Sequence, residues 1–60
     1  MKTLQQAIDE LKEKANRWAE SNLDSTVVYR CHWYAGMGVY VEVKTESGWV
    51  NIKSFMIGEK

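Results

Sequence analysis

Apolar and polar residues alternate through residues 27–57 regularly enough to sort nearly every side chain onto one of two faces. One face collects Val27, Tyr29, Cys31, Trp33, Val39, Val41, Val43, Val50, Ile52 and Met56. The other collects Val28, Arg30, His32, Tyr34, Tyr40, Glu42, Lys44, Trp49, Asn51, Lys53 and Phe55. Residues 3–21 follow a longer period. At about 100° per residue, Leu4, Ala7, Ile8, Leu11, Ala15, Trp18 and Ala19 fall within an arc of roughly 120°, and the remaining positions are polar. The chain therefore holds one amphipathic helix followed by strands, and that helix can cover only one side of the sheet.

Local signals sharpen these elements. Thr3 followed by Gln6 fits a capping box at the helix start. Glu10 with Lys14 and Glu13 with Arg17 are favourably ordered i,i+4 pairs, which makes the charge run 9–14 a solvated face. After a turn-like stretch at 21–25, strands are predicted over 26–34, 38–45 and 49–57, with connections at 35–37 and 46–48 short enough only for hairpins. Gly36, Gly38 and Gly48 serve those hairpins, and Gly58 a frayed end.

Directly opposed residues share a face, so matching the apolar sets predicts the register. Trp33 lies opposite Val39, Cys31 opposite Val41, Tyr29 opposite Val43 and Arg30 opposite Glu42. In the second hairpin Val43 meets Val50, Val41 meets Ile52, Glu42 meets Asn51 and Tyr40 meets Lys53. The predicted fold is a single two-layer α+β domain over residues 1–60, one N-terminal helix on a three-stranded antiparallel meander (α-β-β-β). This order resembles the first four elements of a double-stranded-RNA-binding domain. The second helix and basic cluster of that family have no counterpart here, so the shared layout implies nothing about function.

Composition narrows the chemistry. A domain of 60 residues is small enough for self-association or a partner to supplement its stability. Cys31 is the only cysteine, which excludes an internal disulfide, and no cysteine and histidine set has zinc-site spacing. Eight basic and eight acidic residues cancel, so bulk charge does not point to a polyanion. The N-terminal stretch mixes charged and apolar residues with no continuous hydrophobic run, which predicts no signal peptide, no membrane anchor and a cytoplasmic location.

Cys31 and His32 are adjacent strand residues and point to opposite faces, so they cannot act on one atom. Cys31 is expected to be a buried small hydrophobe among Tyr29, Trp33 and Val41, and His32 a hydrogen-bonding side chain on the uncovered face. Glu42 is the only carboxylate on that face, expected to bridge to Arg30. With no carboxylate pair, phosphate loop, dinucleotide fingerprint or zinc-protease motif, the chain is expected not to be an enzyme and to need no cofactor or metal.

The functional expectation rests on Tyr34, Tyr40, Trp49 and Phe55 together with Arg30, His32 and Lys53 on the uncovered face. Aromatic residues and arginine dominate the energetics of protein interfaces. Met37 at the first hairpin tip adds an exposed apolar handle. The chain is accordingly read as a protein-binding module, taking a protein partner or a second copy of itself (a homodimer), in the manner of phage or mobile-element accessory proteins that modulate a host protein. The alternative is single-stranded nucleic acid, with bases stacked on the aromatics and phosphates met by Arg30, Lys44 and Lys53. Zero net charge and a central Glu42 weigh against it.

Overall fold

Helix α1, Leu4–Asn22, starts where the cap predicts. In this computed structural model, which describes residues 2–57, the Thr3 hydroxyl accepts from the Gln6 amide at 3.1 Å and the Gln6 side chain accepts from the Thr3 amide at 2.9 Å. Gly58 lies outside the described residues. The Glu13–Arg17 pair forms as expected, but Glu10 turns to Lys2 at 2.6 Å and not to Lys14. Lys14 instead lies with its ammonium 5.9 Å from the centre of the Phe55 ring. Leu23 ends the helix in an extended conformation, its amide bonded to the Ala19 carbonyl at 2.8 Å.

The sheet contains β1 (Tyr29–Tyr34), β2 (Gly38–Thr45) and β3 (Gly48–Phe55), antiparallel in the order β1-β2-β3. The first strand begins later than predicted because Asp24 diverts the chain into a turn. Its carboxylate accepts from the Thr26 amide at 3.0 Å and its carbonyl from the Val27 amide at 2.9 Å. The first hairpin has the predicted register, with Tyr29, Cys31 and Trp33 opposite Val43, Val41 and Val39, and Arg30 opposite Glu42.

The second hairpin starts as predicted, with Val43 opposite Val50 and Glu42 opposite Asn51, and then departs. A bulge leaves Ile52 without a partner, so Lys53, not Ile52, lies opposite Val41, and Ser54, not Lys53, opposite Tyr40. Phe55 thereby comes opposite Val39. Even alternation would have placed Ser54 against Val39 in the core, and the extra residue puts Phe55 there in its place. Phe55 is buried, with 6 % of its surface exposed, and it belongs to the core and not to the uncovered face. Lys53 also moves to the helix side, where its ammonium lies 5.6 Å from the Phe55 ring centre and 5.9 Å from that of Trp18. β3 ends at Phe55, short of the predicted residue 57, and Met56 and Ile57 are exposed.

Ala15, Ala19, Val39, Val41 and Phe55 form the buried cluster, flanked by Leu11, Trp18, Leu23, Tyr29, Cys31 and Trp33. Alanines at 15 and 19 leave room for α1 to lie close against β2, and the Tyr29 hydroxyl donates to the Asn16 side chain at 2.6 Å, tying α1 to β1. The helix packs on β1 and β2 and barely reaches β3. Strands repeat at about 4.8 Å and a helix with its side chains is about 10 Å wide, so one helix spans two strands and leaves the third uncovered. Val50, predicted to be core, is consequently exposed; Ile52, also predicted to be core, is exposed because it is the extra residue of the bulge, and Leu4 at the helix start is exposed too.

Gly38, where β2 begins, is needed for space as well as for its positive φ of 110°. A Cβ at that position would lie 2.3 Å from the Phe55 carbonyl oxygen. The close backbone approach here is what seats the end of β3 beside β2.

Candidate binding face

The side of the sheet opposite α1 presents Arg30, His32 and Tyr34 from β1, Tyr40, Glu42 and Lys44 from β2, and Trp49, Asn51 and Ser54 from β3. Five of the seven side chains predicted to bind are brought together here: Trp49, Tyr40, Tyr34, Arg30 and His32. Phe55 and Lys53 are not, because the bulge has turned both to the helix side.

Glu42 is the centre of the arrangement. Although none of the described elements covers this face, Glu42 is only 4 % exposed, because its neighbours close over it. The Arg30 Nε donates to Oε1 at 2.7 Å and the Tyr34 hydroxyl to Oε2 at 2.5 Å. A carboxylate removed from water is costly unless both oxygens are engaged, and here both are. The hydrogen bond from Tyr34 and the Arg30 guanidinium hold the Glu42 carboxyl below its ordinary range against the opposing effect of burial. The same bond pushes the Tyr34 phenol up, since ionising it would place two negative charges together, and Arg30's own hydrogen bond to Glu42 raises the guanidinium further.

Arg30 has a second contact, its guanidinium lying 4.2 Å from the centre of the Trp49 ring system. Lys44, cross-strand neighbour of Trp49, is 5.6 Å away from the same ring. On the other side of Glu42, His32 meets Tyr34 edge-on with ring centres 4.6 Å apart, and Tyr34 meets Tyr40 edge-on at 5.3 Å. The result is a continuous layer, Tyr40–Tyr34–Glu42–Arg30–Trp49, with His32 and Lys44 at its margins. The Arg30–Glu42 bridge was legible in the sequence. The Tyr34–Glu42 bond and the Arg30–Trp49 stack were not, because both run diagonally across the pleat, between residues that register does not place opposite each other.

This layer suits contact better than catalysis. Both Glu42 oxygens are engaged and the Tyr34 proton is held by a carboxylate that favours its charged form, so neither is poised for proton transfer at neutral pH. Cys31 is half-buried on the helix side and burial pushes its thiol up, away from the nucleophilic thiolate. Among the described residues no group of three histidine, cysteine or acidic side chains could hold a metal ion. No helix among them is long and apolar enough to cross a membrane. No family model matches the chain, and comparisons with curated proteins and with solved structures return no significant match.

Proposed function

We propose that the chain is a small, non-enzymatic protein-binding module that acts stoichiometrically through the sheet face opposite α1, with Tyr40, Tyr34 and Trp49 as its apolar contact area and His32, Arg30 and Lys44 as its polar handles. One observation carries this reading: no described element covers the face, yet it is already ordered, its aromatic rings and its arginine locked around a satisfied Glu42. A partner that docks there meets side chains whose rotamer entropy is already spent, and preorganisation of this sort raises affinity at fixed area. Burying two of the rings contributes several kcal/mol, at about 25 cal/mol per Å². The partner is another protein, such as a host protein modulated by an accessory factor, or a second copy of the chain. Arg30 is committed to Glu42 and lies over Trp49, which withdraws one cation and part of one stacking surface from a nucleic acid.

The test places a photo-crosslinking side chain at His32, with Lys12 of α1, on the other side of the sheet, as control, in the cells that make the protein. A discrete protein adduct at position 32, absent at 12 and lost in Tyr40→Ala with the circular dichroism unchanged, is the expected result. Its mass distinguishes a second copy from a larger partner. No adduct at 32, or salt-sensitive binding of a single-stranded oligonucleotide through Tyr40, overturns the reading.

A further inference from the structure

The opposite side of the molecule holds a second uncovered region. Because α1 spans only β1 and β2, a trough of about 710 Å³ runs between the helix and the end of β3, with Ala7, Leu11 and Lys14 on one wall and Met56 and Ile57 on the other. Ala7, Leu11, Lys14 and Trp18 are spaced at three- or four-residue intervals and form one ridge along α1, the geometry against which a second helix packs about 8–10 Å away. Val50, on the helix side of β3, is 43 % exposed.

The charges are distributed unevenly. Lys2 and Arg17, which also line the trough, are paired with Glu10 and Glu13. Lys14 and Lys53 have no carboxylate partner among the described residues, and their ammonium groups lie 5.9 and 5.6 Å from the centre of the same Phe55 ring. Two cations without an acidic partner therefore border the apolar floor, one from the helix and one from β3.

We propose that this trough is a docking site for an acidic amphipathic helix of another protein, its apolar stripe laid against Leu11, Met56 and Ile57 and its carboxylates directed to Lys14 and Lys53. A second copy of the chain does not supply such a helix. Its single helix already spends its apolar stripe on its own sheet. A nucleic-acid backbone would make no use of the apolar floor. The site is independent of the aromatic face and stands or falls separately.

The probes are two synthetic helical peptides with leucine at i, i+3, i+4 and i+7, one flanked by glutamates and the other by lysines, titrated into the isotopically labelled protein. The acidic peptide is expected to bind about tenfold more tightly than the basic one, shifting the amides of Lys14, Trp18 and Phe55, with that preference reversed in Lys14→Glu/Lys53→Glu. Both substitutions are at exposed side chains, so the variant's amide spectrum reports folding directly, and Trp49→Ala leaves the preference intact. The proposal fails if the peptides bind equally or not at all, if the shifts fall on His32 and Tyr40, or if the double variant keeps the acidic preference. It also fails if phosphatidylserine vesicles shift the trough amides and the acidic peptide does not.

Discussion

Glu42 occupies the centre of the middle strand on the side without a helix, and it is nevertheless among the most buried residues of the chain. Its stability depends on two neighbours that arrive from β1. Because Tyr34 and Arg30 lower its proton affinity in the fold, the sign of the linkage is set: the contribution is fully present above the unfolded value of 4.5 and is lost as pH falls through the lower folded value. Urea midpoints at pH 7 and pH 3 are therefore expected to fall further for the natural chain than for Glu42→Gln, and Tyr34→Phe is expected to move the acid loss to higher pH. Equal losses in the natural chain and Glu42→Gln would mean that the pair is not closed in solution. Removing Arg30 alone leaves a carboxylate half-satisfied, so Arg30→Met should destabilise more than Arg30→Met combined with Glu42→Met.

At the scale of elements, alternation and turn chemistry were enough to place the helix within a residue or two at each end, to order the strands and to pair the first hairpin. They failed in the second half of β3 for a local reason. Alternation counts residues and cannot register that one is skipped; Asn51 and Ile52 together face Glu42, so every later side chain changes sides. The clue in the sequence is Ser54, which falls on the core row while the larger Phe55 falls outside it. Deleting Ile52 regularises the ladder without changing which face Phe55 is on, so the deletion variant is expected to fold with Phe55 still in contact with α1 by nuclear Overhauser effects. Its straighter outer strand should also self-associate more readily in sedimentation. A variant with Phe55 in solvent would show that the bulge follows from some other constraint. Burial of Glu42 was out of reach for a different reason: the expectation that an uncovered face is an exposed one ignores how far Tyr34 and Arg30 extend along it.

The whole molecule rests on few side chains. A chain of 60 residues has a stability of about 3–9 kcal/mol, and its largest buried side chain is Phe55, contributed by the strand that α1 hardly touches. Phe55→Ala is expected to cost about 3–5 kcal/mol, enough to leave much of the population unfolded at 25 °C by circular dichroism. Retention of a cooperative transition with its midpoint unchanged would show that β3 is not part of the same folding unit as α1. The two uncovered surfaces lie on opposite sides of a sheet one residue thick, so a partner on either side bears on the same strand. Cys31, half-buried on the helix side of that sheet, also serves as a gauge. As the only thiol in the chain, its alkylation reports how open that side of the sheet is, and a partner that clamps the sheet from either side would slow the reaction without touching the sulfur.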